Sequence, residues 1–248
     1  MAVPRTFIID RQSRLAWFGH PIDADQPLAA IVDGSWRIDS ARDAANRRER
    51  DRLASRGAAN DYIAAADAKD DAAALTAAER ACAVPLAHVD GLSPPWWAWT
   101  ARVQLLVASG ESEEAVAVAL KGAELKGIRD EAVPLAQLAR LIAILSPSDA
   151  AALTDRALTE IRNVESDPRD DSWTAYMRDA SLLPNSVALL DVAAADFAIG
   201  TPYRRGRAVV LQREALARWP DDPRLVPRRS ELAANLAVYE EAAGRSSP

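Results

Sequence analysis

Residues 3–21 read VPRTFIIDRQSRLAWFGHP, and the organisation of the whole chain depends on this stretch. An apolar run with two β-branched side chains at residues 7–9 is followed by polar residues 10–14 and by a second apolar run at residues 15–18. Two short apolar runs separated by polar turn residues are typical of a β-hairpin. The stretch therefore predicts a hairpin, and it is the only part of the sequence that predicts β-structure.

The segment that follows has the signals of a short helix. It begins at Asp25, carries apolar side chains at helical spacing between residues 28 and 32, and ends at Gly34, a residue type that commonly terminates helices. Hairpin and helix together predict a β-β-α unit over residues 1–38.

The rest of the chain predicts helices. Residues 39–58 are dense in Ala, Arg, Asp and Glu with few large apolar side chains, which favours an exposed connecting helix. Residues 59–248 alternate between helical segments of about 15 to 20 residues and short polar or proline-containing breaks, as in an array of helical hairpins. The predicted fold is therefore mainly α, a β-β-α unit followed by an all-α array. Breaks are predicted at residues 69–71, 90–95, 109–111, 126–127, 146–148, 167–168, 183–185, 200–202 and 220–223.

Part of this array resembles tetratricopeptide repeats. Residues 99–126 follow the pattern of two antiparallel helices joined at a Gly-Glu turn, here Gly110 and Glu111. Residues 211–223 are similar to the second helix of a repeat with its proline junction, and residues 69–83 match more weakly. Because the spacings are irregular, the resemblance implies a degenerate repeat array.

Composition argues against several classes of function. The net charge of -6 and the pI of about 5.1 are unfavourable for nucleic acid, which requires a dominant basic surface. We interpret the basic runs at residues 47–52 and 204–207 as ordinary surface. No stretch approaches the ~20 apolar residues of a membrane span.

The ligands of a redox or metal site are also scarce. Cys82 is the only cysteine, so the sequence cannot form an internal disulfide or a Cys-x-x-Cys motif, and we interpret Cys82 as a buried apolar residue. His20 and His88 are each isolated. We therefore predict no metal site, no cofactor and no catalytic residue within this chain.

The opening stretch and the helix after it resemble the C-terminal half of a thioredoxin-fold redoxin of the TlpA-like or alkyl hydroperoxide reductase/thiol-specific antioxidant type. The resemblance covers about the first forty residues. It is carried by Val3, Pro4, Thr6, Phe7, Ile8, Ile9, Asp10, Leu15, Ala16, Trp17, Gly19, His20, Pro21, Pro27, Leu28, Gly34 and Trp36.

The resemblance implies a role for two residues. In the family, the proline that matches Pro4 is cis, and the backbone of the preceding residue, here Val3, pairs with a substrate segment; an ordinary trans proline that opens a strand is the alternative. The family's N-terminal β-α-β portion, which carries the Cys-x-x-Cys nucleophile, has no counterpart in the sequence, and Cys82 does not match it.

Two explanations of this difference stay open. The gene start could lie further upstream, which would make the protein a full redoxin with a helical extension. An isolated hairpin with open edges is marginal in water and invites strand pairing with another chain, which favours this first explanation. Alternatively the short form is genuine, and the β-β-α unit serves as a docking or dimerising element.

The tryptophan-rich segment 96–99 suggests a partner surface. Trp96 and Trp99 share a helix face while Trp97 points elsewhere, so these side chains could join the connecting helix to the array or line a peptide-binding groove. The expected function is thus the distal part of a thiol-disulfide oxidoreductase, inactive alone, or a helical-repeat scaffold. Expected partners are a protein or peptide thiol or disulfide, or a second copy paired through strand edges. The compartment is open: cytoplasmic as given, or the cell envelope if an exported segment precedes it.

Overall fold

A computed structural model describes residues 6–19, 21, 24–84, 96–125, 128, 131–165, 172–219 and 226–245, with the side chains of 164–165, 172–183 and 226 left out of the description. In these ranges two strands precede ten helices, which confirms the mainly α fold with an N-terminal β-β-α unit. The strands are β1 (Thr6–Ile9) and β2 (Leu15–Gly19). The helices are α1 (Asp25–Asp33), α2 (Ile38–Asp67), α3 (Asp71–Cys82), α4 (Trp96–Ser109), α5 (Ser112–Ala123), α6 (Ala132–Ile142), α7 (Pro147–Glu165), α8 (Ser172–Ile199), α9 (Pro202–Arg218) and α10 (Val226–Gly244).

The hairpin loop is held by one carboxylate. Asp10 accepts hydrogen bonds from the backbone N–H groups of Gln12 (2.8 Å) and Arg14 (2.9 Å), and Ser13 adopts a φ of 59°. The Arg14 backbone N–H, followed by that residue's side chain, lowers the pKa of Asp10. An aspartate that bonds backbone groups two and four residues on closes the turn and fixes which residues of the strands face each other.

Helix α2 is longer than the predicted connecting helix. It begins at Ile38 and continues without a break to Asp67, so it crosses the domain boundary predicted at residue 58. Its first half is exposed and carries local ion pairs such as Arg52 with Glu49, whereas its second half buries Ala58 and Ala65 where it packs on α3. The junction between connector and array is thus one continuous helix.

The helical array is built from neighbour contacts. From α2 to α10 each helix packs on the next, and α4 with α6 and α6 with α8 also pack directly. The main apolar core runs from Trp99 in α4 to Leu232 in α10, and a smaller cluster of Ala58, Ala81 and Ala98 joins α2, α3 and α4. Gly110 (φ 85°) and Gly200 (φ 80°) end α4 and α8 in the left-handed conformation that glycine adopts without strain.

The break predicted at residues 183–185 is wrong. Helix α8 runs continuously from Ser172 to Ile199 with Pro184 inside it. An internal proline costs about 3 kcal/mol, but α8 packs against α6, α7 and α9 and fully buries side chains such as Leu189 and Val192. Burial of each such side chain contributes about 1.5–3 kcal/mol, so tertiary packing outweighs the local preference. The breaks predicted at 90–95, 126–127, 167–168 and 220–223 lie outside the described residues.

Candidate functional site

One face of the N-terminal hairpin carries four large apolar side chains that remain in solvent. In the antiparallel pairing Phe7 lies opposite Phe18 and Ile9 lies opposite Leu15, so the four share one face, which we call the outer face. Phe7 is 61% exposed, Ile9 56%, Leu15 52% and Phe18 45%. The two phenyl rings stack with their centroids 5.6 Å apart. A contiguous apolar surface of this kind commonly marks a contact site.

The opposite face of the hairpin is closed by its own chain. Ile8 and Trp17, which pair across the strands, are only partly exposed, and Ala16 is buried. The Trp36 indole Nε1 donates a hydrogen bond of 2.9 Å to the Ala16 carbonyl oxygen. Pro27 of α1 is also buried. Among the described residues, the outer face of the hairpin is therefore the more exposed of its two faces.

The two edges of this small sheet also differ. The pairing register shifts between Ile8 and Ile9, which leaves Ala16 of β2 as an extra, bulged residue. The Ala16 carbonyl oxygen accepts the hydrogen bond from the Trp36 indole. Bulges and covering side chains protect an edge against pairing with other chains. Strand β1 has β2 as its single strand neighbour among the described residues, so its other edge has no strand beside it.

The cysteine is poorly placed for thiol chemistry. Cys82 lies at the end of α3, partly buried against the core, and desolvation raises the pKa of its thiol to about 12. Reactive cysteines instead have thiols whose pKa is lowered by nearby positive charge or a helix N-terminus. Within the described ranges no group of three or more His, Cys, Asp or Glu side chains could hold a metal ion. With one cysteine, the given sequence cannot supply a cysteine pair for disulfide exchange by itself.

The three tryptophans lie in different surroundings. Trp99 is 4% exposed and packs in the main core, where a β-carbon on Gly122 would come within 2.9 Å of its ring. The Trp97 ring lies 5.3 Å from that of Tyr62, so it joins α4 to α2, and Trp96 is half-buried against the core. Only the outer parts of Trp96 and Trp97 are available to a partner. Val3 and Pro4 lie outside the described residues.

The interpretation of residues 204–207 as ordinary surface is wrong for two arginines. Arg204 and Arg207 have side chains only 13% and 17% exposed, and both donate to Asp196, which is fully buried. Both also donate to Asp155 of α7, with the shortest N···O distances 2.9 Å from Arg204 and 2.5 Å from Arg207. The buried Thr154 hydroxyl accepts from them at 2.8 and 3.2 Å.

We call Thr154, Asp155, Asp196, Arg204 and Arg207 the α7–α9 ion cluster. The opposite charges within it compensate one another. Burial disfavours the charge on Arg207, but its hydrogen bonds to Asp196 and Asp155 outweigh this and raise its pKa. Its two positive and two negative side chains balance, and its donors point at protein acceptors. The cluster therefore fastens three helices together. The closely spaced arginines at the start of α9 were a signal in the sequence. Their acidic partners could not be identified from it, because Asp155 lies about fifty residues before them and Asp196 eight to eleven residues before them.

Comparison with known proteins gave no relative from which a role could be transferred: no family model, no curated protein and no solved structure matches the chain. Among the described helices, none combines the length and apolar character required to cross a bilayer.

Proposed function

We propose that the N-terminal β-β-α unit is the distal, substrate-facing part of a thioredoxin-like redoxin domain, and that the chain alone carries out no thiol chemistry. The observation that carries the proposal is the exposed apolar outer face of the hairpin, with Phe7, Ile9, Leu15 and Phe18 each at least 45% exposed. A two-stranded hairpin is marginal by itself and requires a cover or further strands. The β-α-β portion of a redoxin would supply both. The raised thiol pKa of Cys82 supports the second half of the proposal.

Two measurements test this proposal. An insulin-reduction assay of the purified chain should show no activity above the uncatalysed rate, and Cys82→Ser should leave that result unchanged. Activity that Cys82→Ser abolishes would contradict our assignment of this thiol.

The second measurement concerns the gene. Reading the DNA upstream of Met1 in frame should reveal a Cys-x-x-Cys segment within about one hundred codons, the size of a small domain. A protein extended by that segment should reduce insulin, and the same extended protein with both added cysteines changed to serine should not. Absence of such a segment would refute a role as the distal part of a redoxin encoded with this chain.

A second candidate is a scaffold that binds a peptide or protein along the helical array. The neighbour-to-neighbour packing of α2 to α10 supports it, since stacked helical pairs present extended surfaces. Its test is a pull-down in which Trp96→Ala and Trp97→Ala are compared with the unmodified chain. If both variants capture the same partners in the same amounts, the tryptophan surface is not the binding site.

A further inference from the structure

We infer that the exposed side of helix α2 is a self-association surface. Its occupant is the same side of α2 from a second copy of this chain, packed antiparallel about a two-fold axis at the level of residue 58. This surface does not include the hairpin, so it does not compete with the outer face on which the proposed function rests. Oligomeric state and thiol chemistry are measured separately, so failure of one proposal is distinguishable from failure of the other.

Helix α2 is long, and only one of its sides is covered. Its 30 residues extend about 45 Å. Beyond the first residue of the helix, the buried and half-buried side chains lie on one side, at residues 41, 44, 51, 55, 58, 59, 62 and 65. Every residue from 24 to 84 is described, so the chain is defined at both ends of the helix. We call the exposed opposite side the α2 stripe, which comprises Asn46, Glu49, Leu53, Arg56, Gly57, Asn60, Ile63, Ala64 and Asp67.

A glycine in the middle of the α2 stripe points to a close contact. Gly57 lies inside the helix, where glycine costs about 0.5–1 kcal/mol relative to alanine. Among the described residues, no atom lies within 4 Å of the position that a β-carbon on Gly57 would occupy, so no neighbour there requires a glycine. A residue without a side chain allows another backbone to approach closely. A second helix lying across Gly57 would fill this space.

The apolar side chains of the α2 stripe match each other across a two-fold axis. Leu53 is 53% exposed and Ile63 is 57% exposed, and they lie ten residues, or nearly three turns, apart. In an antiparallel pair whose axis lies midway between them, Leu53 of one copy lies beside Ile63 of the other, and the symmetry repeats this contact once. Gly57 then lies one residue from the axis. A self-complementary patch of this kind is what a two-fold dimer requires.

Charge favours the antiparallel orientation. Residues 37–56 contain seven arginines and four acidic residues, a net charge of +3, whereas residues 60–71 contain four aspartates and one lysine, a net charge of -3. Asp61 is already paired with Arg80 of α3, which brings the acidic end to -2. An antiparallel pair places the basic half of each helix beside the acidic end of the other, whereas a parallel pair would place like charges side by side. Complementary charge of this kind fixes orientation and partner.

Helix α9 is the less favourable alternative. Its Gly206 also lies in open space, between the exposed side chains of Tyr203 and Val210. However, α9 carries five arginines and one glutamate, so two copies of this helix would repel each other in either orientation. Gly206 therefore provides a matched control for Gly57.

Cross-linking near the axis tests the contact. Gly57→Cys in a Cys82→Ser background introduces a single thiol, and a short bis-maleimide should join it to the same position of a second copy. Gly206→Cys in the same background carries its thiol at an equally open position of an exposed helix. At equal micromolar concentration, the Gly57→Cys chain should give covalent dimer and the Gly206→Cys chain should stay monomeric.

A charge exchange tests which residues meet. Leu53→Glu and Ile63→Arg should each weaken dimerisation at least about tenfold in sedimentation equilibrium, because each places a charge against an apolar side chain of the other copy. Both substitutions in one chain should restore dimerisation, since the new carboxylate and guanidinium then meet across the contact. Within one chain positions 53 and 63 are about 15 Å apart along the helix and cannot pair.

Ionic strength tests the contribution of charge. Raising it from about 0.1 M to about 1 M shortens the screening length from about 10 Å to about 3 Å. Dimerisation of the unmodified chain should weaken over this range, because the basic and acidic parts of the two helices then attract each other less. Circular dichroism of each variant is compared with that of the unmodified chain, so that a loss of dimer is not mistaken for a loss of fold.

Four results would overturn the inference. The first is an unmodified chain that stays monomeric up to near-millimolar concentration. The second is equal cross-linking of the Gly57→Cys and Gly206→Cys chains, which would indicate random collision or a contact elsewhere. The third is a combined Leu53→Glu and Ile63→Arg variant that dimerises no better than either single variant. The fourth is a dimer that does not weaken at the higher ionic strength.

Discussion

Removal of the buried carboxylate of the α7–α9 ion cluster should weaken the C-terminal part of the array severely. In Asp196→Asn the neutral amide keeps the shape of the side chain but loses its charge and one of its two acceptor oxygens. Arg204 and Arg207, both mostly buried, then lose the negative charge of Asp196 that balances their positive charges.

The expected loss in unfolding free energy depends on the contacts that the arginines keep in the variant. Removing one partner of a buried ion pair costs about 3–5 kcal/mol, because the other charge is left uncompensated. Here both arginines keep their contacts with Asp155, so we expect the lower end, about 3 kcal/mol. Asp155→Asn is the matched control: it removes a carboxylate from the same two arginines, but Asp155 is 52% exposed, so water can replace it and the cost should be about 1 kcal/mol or less.

The assay is urea unfolding followed by far-ultraviolet circular dichroism, with midpoint and slope fitted separately. Because a helical array can unfold in parts, amide exchange on α8 and α9 should locate the loss there. If Asp196→Asn proves no more destabilising than Asp155→Asn, or if exchange accelerates equally in α4 and α5, the cluster does not hold these helices together.

Three further outcomes are expected. Gly122→Ala would bring a methyl group within 2.9 Å of the Trp99 ring and should cost about 1–3 kcal/mol in urea unfolding, whereas Gly57→Ala, with open space around it, should stabilise helix α2 by about 0.5–1 kcal/mol. With its thiol pKa at about 12, Cys82 should react with iodoacetamide at pH 8 at least about a hundredfold more slowly in the native chain than in urea, as judged by mass spectrometry. Burial acts to raise the pKa of Asp155, but hydrogen bonds from the two arginines outweigh burial and lower this pKa. The Asp155 carboxylate should therefore contribute its full stabilisation above its unfolded pKa near 3.8 and lose it as the pH falls through the lower folded pKa. Below about pH 4, the urea midpoint of Asp155→Asn should depend less steeply on pH than that of the unmodified chain.

Local signals were sufficient to predict the elements whose ends are marked by Gly, Pro or polar turn residues. The apolar runs around a polar turn predicted the hairpin, and Gly34, Gly110 and the Thr201-Pro202 pair marked helix ends or starts where the structure has them. Each of these features depends on residues within a few positions of one another, so a single sequence contains the necessary information.

The features that the sequence did not predict depend on residues distant along the chain. Pro184 favours a break, and only the helices packed around α8 keep it within a helix. Arg204 and Arg207 resemble surface residues until the fold brings Asp155 beside them. The outer face is a mixed case: the sequence predicted its strands, but not which of their side chains stay exposed. Tertiary contacts override local preference at each of these sites.

The contrast between array and hairpin indicates where a contact with another molecule has most to gain. In the array, each helix finds its cover in the next helix along the chain, and the core side chains of α6 are almost completely buried. In the hairpin, Ala16 is buried and its carbonyl oxygen accepts a hydrogen bond from the Trp36 indole, whereas Phe7, Ile9, Leu15 and Phe18 are 45–61% exposed. Covering an apolar surface is favourable in proportion to its area. A partner that covers the outer face, such as the remainder of the proposed redoxin domain, therefore gains free energy by burying these four side chains.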